Sequence, residues 1–179
     1  MAKGTARGGE FGVIARIQAR CAARAGVALG IGDDAAVLRV PVGCDLVVTT
    51  DTMIAGRHFL RSTAPRDIGW KVLAVNLSDL AAMGAAPAWV TLALTLPSND
   101  VEWLDAFIGG FMALARRHGV ALVGGDTTRG PLSITVAAHG LLPRGTAMRR
   151  DGARAGDAIY VSGSLGDAAA GLRVARGGL

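Results

Sequence analysis

Hydrophobic positions recur at helical spacing from Glu10 to Ala25, with Phe11, Ile14, Ile17 and Gln18 near one face, and Gly26 ends that helix. A glycine-hinged loop follows, GIGDDAAVL (Gly30 to Leu38), which carries paired carboxylates into an apolar strand. Asp45 to Thr52 (DLVVTTDT) is rich in β-branched residues and reads as a second strand. The stretch Asp67 to Gly84 has the length, the capping aspartate and the terminal glycine of a helix. Steps of three and four place Val72, Val75, Asn76, Asp79 and Met83 on one side of it. Pro87 to Pro97 is a long apolar strand, and Asp100 to Gly119 a helix capped by Asp100 and closed by Arg116, Arg117, His118 and Gly119. Val120 to Val123 is a short strand expected to stop at a tight glycine turn, GGDTTRG (Gly124 to Gly130). Leu132 to Leu142 and Asp157 to Ser162 complete the strands, with a basic loop between them from Arg144 to Arg154. The Gly-rich first ten residues are expected to fray. This alternation predicts a two-layer α/β or α+β domain.

Composition narrows the class. The 179 residues are 51% hydrophobic, with a mean hydropathy of +0.39, enough for one packed core and against wholesale disorder. The most apolar run, Ala88 to Leu96, is followed at once by Pro97, Asn99 and Asp100, so no membrane span is expected. The first 15 residues lack the apolar core of a secretory signal. Two cysteines, Cys21 and Cys44, match no disulfide framework or zinc spacing, and the cytoplasm is the simplest compartment. The net charge of +5 invites a nucleic-acid reading, but the arginines are scattered and aromatics make up only 4%, which argues against a base-stacking platform. Solvated surface charge is the plain explanation, and a phosphate-bearing ligand the functional one.

Of 14 acids only Glu10 and Glu102 are glutamates, which leaves 12 aspartates. Asp33 and Asp34 in a glycine loop, Asp51 at a strand end, Asp79 on an apolar helix face and Asp126 in GGDTTRG share one kind of setting. Read singly, each has an ordinary role as a turn, cap or hydrogen-bonded residue. Read together, carboxylates converging on one sheet edge stay ionised only with cations between them, and short carboxylates suit magnesium completed by phosphate oxygens. Thr49 and Thr50 lie beside Asp51 and add oxygen donors. The glycines of GGDTTRG allow backbone N–H groups near a phosphate, and Arg149 and Arg150 can grip one in bidentate fashion, although glycine turns and loop charges are common. Neither GxxxxGK[ST] nor a helix-opening GxGxxG is present, and no nucleophile–histidine arrangement stands out. Of the three histidines, His58 in GRHF is the functional candidate, while His118 reads as a helix C-terminal charge and His139 as a strand residue.

Six strings in order, GEFGVIARI, GIGDDAAVL, TTDTMIAGRHFL, AVNLSDLAAMGAAPAWVTLALTLP, GGDTTRGPLSIT and RRDGARAGDAIYVSGSLGDAAAGL, closely resemble the thiamine-monophosphate kinase family. Its wider superfamily includes aminoimidazole ribonucleotide synthetase and selenophosphate synthetase. The resemblance implies an α+β fold with a four-stranded mixed sheet and helices on one face, two such sheets pairing into a barrel in a homodimer. It implies magnesium- and ATP-dependent transfer of a phosphoryl group onto thiamine monophosphate to give thiamine diphosphate, with no nucleic-acid or membrane partner. Carried over by motif, Asp34, Thr49, Thr50, Asp51, Asp79 and Asp126 correspond to metal positions, Gly125, Asp126 and Arg150 to nucleotide contacts, and His58 to a substrate contact. A nucleotide contact, often tyrosine, in the helix after the long strand falls here at Gly109 or a neighbour. The family's chains are nearly twice as long, and their DLSDG-like and GGEDYE-like segments do not occur here. The chain therefore reads as the amino-terminal half of such a kinase: residues 1–162 an ATP/Mg-binding and dimerisation domain, 163–179 the start of a second domain, with little turnover expected alone. The alternatives are a non-catalytic nucleotide-binding and dimerisation module, or a related ATP-dependent synthetase.

Overall fold

A computed structural model describes residues 10–21 and 25–178. The Gly-rich start (1–9), the Phe11 side chain and the part of the first predicted helix at 22–24 lie outside the described residues. The chain divides between Met148 and Arg149 into two units, each treated separately below.

In the larger unit, α1 (Glu10–Gln18) is followed by the short strands β1 (Val27–Leu29) and β2 (Val37–Leu38). Then come β3 (Cys44–Ile54), α2 (Pro65–Ala82), β4 (Ala86–Leu96), α3 (Val101–Arg117), β5 (Ala121–Arg129) and β6 (Ser133–Pro143). The main sheet has the order β3-β6-β4-β5. It is mixed: β6 is antiparallel to both β3 and β4, while β5 returns parallel to β4 after the α3 crossover. The expected four-stranded sheet with helices on one face is therefore present.

The core follows from strand alternation. Leu92, Leu94 and Leu96 of β4, and Ile134, Val136 and Ala138 of β6, bury one face of the sheet against Val72 and Leu73 of α2 and Phe107 and Phe111 of α3. At one end of the opposite face, Trp89, Ala121 and Val123 pack against Val27 and Leu38 of the β1–β2 pair. Farther along that face β3 presents Leu46, Val48 and Ile54 exposed.

Two boundaries depart from expectation. The first helix ends at Gln18, eight residues before Gly26, and passes into a turn. The second helix starts at Pro65 after Ala64, not at an Asp67 cap, because proline has a preset φ and no N–H to satisfy at a helix start. Asp67 instead lies in the first turn, where it acts only through the helix dipole. By contrast Asp100 caps α3 as expected, its Oδ1 accepting from Trp103 N at 3.0 Å. Asp100→Ala is expected to cost about 1 kcal/mol in urea denaturation and Asp67→Ala about 0.3 kcal/mol.

In the smaller unit a 3-10 turn (Arg150–Gly152) precedes α4 (Asp167–Ala175). The strand expected over Asp157 to Ser162 does not form: no neighbouring strand pairs with it among the described residues, and Ile159 and Tyr160 are 94% and 91% exposed. A β-strand is a pairing, and a β-branched run without a partner remains irregular.

Candidate functional site

The predicted acidic positions fall into two groups. In the first, odd-numbered residues of β3 turn toward the helices, so Thr49 and Asp51 lie on that face and Thr50 on the other. Thr49 Oγ1 donates to Asp79 Oδ2 at 2.8 Å. Asp79 is exposed, which corrects the expectation of a carboxylate buried on an apolar face. β3 is an edge strand, so the helix stripe that runs over it reaches the margin of the sheet, where water solvates the acid. Among the described residues the fully buried polar one is Asn76, one turn earlier. Its Nδ2 donates to Val72 O at 2.9 Å, and its Oδ1 has no partner among the described residues.

The second group lies along the opposite edge. A cleft of about 950 Å³ opens between α1, the Ile31–Ala36 loop and β5, and its lining includes Asp33, Asp34, Gly124, Gly125, Asp126 and His139. Gln18 Nε2 staples helix to loop by donating to Ile31 O at 2.7 Å. Asp33 holds its own turn by accepting from Asp34 N at 2.9 Å, which leaves the Asp34 carboxylate for other use. GGDTTRG is not a tight turn, because β5 runs through it to Arg129. Gly125 makes this possible: its φ is +151°, and a Cβ there would overlap the Leu92 backbone. Asp126 follows, in register with Ala93 and exposed. The carboxylates of Asp34, Asp51 and Asp126 make no hydrogen bond or ion pair with any described residue.

Between the groups stands the whole sheet. Asp51 pairs with Val136, Val136 with Leu92 and Leu92 with Gly125. Three strand spacings amount to about 14 Å, and among the described residues no three acidic, histidine or cysteine groups converge to hold a metal ion. One chain therefore brings together Thr49 with Asp79, and Asp34 with Asp126, but not the two pairs.

His58 sits beyond the end of β3. Its Nδ1 accepts from Ile54 N at 3.0 Å, and its carbonyl accepts from Lys71 Nζ at 2.6 Å. Lys71 gave no signal in the sequence, because its partner is a main-chain carbonyl that no side-chain motif encodes. In the smaller unit Arg149 grips Asp151 through two bonds of 2.8 and 2.7 Å. That guanidinium holds the Asp151 carboxyl below its ordinary value. The neighbouring Arg150 is exposed. Gly109, on α3, has open space around it and no side chain to offer.

Residues 32–142 match the family described as AIR synthase related protein, N-terminal domain. The chain belongs to that family. The matched span contains all six predicted metal positions, Gly125 and His58, whereas Arg150 lies beyond it. The thiamine-monophosphate kinase of Salmonella typhimurium is 55% identical over 167 residues, 93% of this chain and 51% of that protein. The crystal structure of thiamine-monophosphate kinase from Stenotrophomonas maltophilia K279a superposes with a TM-score of 0.86 at 58% identity, covering 95% of this chain and 54% of that one. The structure of AaThiL complexed with AMPPCP and TMP does so at 0.72 and 35%, over 98% and 55%. This AIR synthase related chain thus spans about half the length of the curated relatives it matches.

Proposed function

We propose that this sequence, within a chain of its relatives' length, serves an ATP-dependent thiamine-monophosphate kinase. An oxygen of the substrate phosphate attacks the γ-phosphorus of ATP, the bond to the β,γ-bridging oxygen breaks, and ADP and thiamine diphosphate leave. The observation that carries this reading is identity of more than half, sustained over more than nine-tenths of the chain, with proteins of that name. Phosphoryl transfer needs in-line positioning and charge neutralisation more than a covalent intermediate, and the chain offers oxygen donors suited to that task.

The donor set fits magnesium: Asp34, Thr49, Thr50, Asp51, Asp79 and Asp126 supply only hard oxygen ligands, and three of the carboxylates have no partner among the described residues. Bound there, magnesium would neutralise charge on phosphate oxygens. Asp34 and Asp126 hold the nucleotide end in the β5 cleft, with Gly125 letting the backbone approach; Arg150, in the smaller unit, is a nucleotide contact by its motif alone. Thr49 orients the Asp79 carboxylate through its hydroxyl, and His58 contacts the thiamine substrate.

Two copies joined through the open sheet face would cover Leu46, Val48 and Ile54, which supports a homodimer. No helix among the described residues is long and apolar enough to cross a membrane. Cys21 and Cys44 are both free, which suits a reducing compartment, and we infer the cytoplasm with no nucleic-acid or membrane partner.

Calorimetry and a turnover assay test this together. The 179-residue chain is expected to bind a magnesium–ATP analogue with little turnover, and a chain of the relatives' length to form thiamine diphosphate. Binding without turnover at either length would favour a nucleotide-binding and dimerisation module. Robust turnover by the 179 residues alone would refute the view that part of the substrate site lies elsewhere.

A further inference from the structure

The turn that follows β3 is held to an unusual degree for an exposed segment. His58 N donates to Ile54 O at 3.0 Å, Gly56 N donates to Phe59 O at 2.8 Å, and Phe59 is buried in the core. Lys71, in the second turn of α2, reaches back to the His58 carbonyl at 2.6 Å, a charge-assisted bond of the stronger kind. The ring is also committed: Nδ1 accepts the Ile54 N–H at 3.0 Å, so a neutral His58 carries its proton on Nε2. Every hydrogen-bonding group of the residue except Nε2–H is therefore occupied, and the side chain is exposed.

We propose that Lys71 is a positioning residue that locks His58 in the Nε2–H tautomer, so that it meets an acceptor atom of the substrate as a fixed donor. Lys71 fixes the carbonyl, the carbonyl fixes the turn, and the turn keeps Nδ1 on the Ile54 amide. The ring then enters binding already in one orientation and one tautomer. This rests on the reading of His58 as a substrate contact, but the lock itself is measurable without substrate.

The experiment is two-bond nitrogen–proton spectroscopy of the imidazoles in the 179-residue chain at about pH 8.5, above the ordinary imidazole range. The chain has three histidines, so His58→Gln assigns the signals. The parent is expected to show one bare and one protonated nitrogen for His58, assigned to Nδ1 and Nε2. In Lys71→Met the two signals should move toward a common average, and the Ile54 amide should exchange about tenfold faster. Lys71→Arg, which keeps a charged donor, should restore the pattern, while unchanged His118 and His139 signals report an intact fold. An unaltered His58 pattern in Lys71→Met, or a failure of Lys71→Arg to restore a lost one, overturns the proposal. Adding thiamine monophosphate to a chain of the relatives' length separates the two ideas: a His58 pattern that collapses in Lys71→Met but never responds to substrate there keeps the lock and ends the substrate assignment of His58.

Discussion

Alanine at Asp126 is expected to weaken binding of a magnesium–ATP analogue to the 179-residue chain about 100-fold, equivalent to ~2.7 kcal/mol. The side chain is exposed on an edge strand and makes no bond to any described residue, so its removal disturbs no packing and should shift stability by no more than about 0.5 kcal/mol. What it removes is one of the charges that the cleft can set against a cation-bridged phosphate. Bonds to charged groups are worth roughly 1.5–3 kcal/mol when they form in a partly enclosed site. Asp126→Asn, which keeps the shape but not the charge, should lose nearly as much, whereas Asp151→Ala, whose partner is Arg149, should lose nothing. Calorimetry on the three variants decides the matter: an Asp126→Ala affinity within threefold of the parent would remove Asp126 from the nucleotide site.

How much of this was legible in the sequence differs from element to element. Strong alternation and strong caps transmitted well: β4, α3 and β6 lie where β-branched runs and the Asp100 cap placed them, because burial on a sheet face and a single capping bond are both local facts. GGDTTRG misled because glycine is ordinarily a strand breaker, whereas here Gly125 lets β5 press against the Leu92 backbone, and pairing with β4 overrides propensity. Asp79 misled for another reason. Periodicity gives the direction of a side chain but not what it meets, and the strip it shares with Val72 runs past the edge of the sheet. Ile159 and Tyr160 have the composition of a strand but no partner among the described residues.

The candidate site was legible as a set of residues, not as a place. GIGDD and GGDTTRG do meet in one cleft, and the TTD of β3 does meet the NLSD of α2 through Thr49 and Asp79. That these are two groups about three strand spacings apart follows only from the strand order β3-β6-β4-β5, which no spacing along the chain encodes. A bridging ligand, a second copy or a longer chain has to unite them if they act together, and each of those lies outside one chain's pattern.

Gly110→Ala should be among the most damaging single-methyl additions in the fold, costing about 3 kcal/mol or more in urea denaturation. Helices α2 and α3 cross with each backbone laid against a glycine of the other. A Cβ at Gly110 would overlap the Arg66 carbonyl, and one at Gly69 the Phe107 carbonyl. The obstacles are main-chain atoms, so no rotamer change relieves them, and the helices must separate over a core that contains Phe107 and Phe111. The neighbouring residue supplies the control: Gly109 has nothing within 4 Å of its would-be Cβ, and Gly109→Ala should stabilise by up to ~1 kcal/mol through helix propensity alone. Two adjacent glycines in one helix thus carry opposite signs, and equal denaturation midpoints for the two variants would show that α2 and α3 do not approach this closely. Gly69→Ala should behave like Gly110→Ala, yet the double variant should lose less than the sum of the two. The first methyl already forces the helices apart and makes room for the second, and a shared displacement is not counted twice.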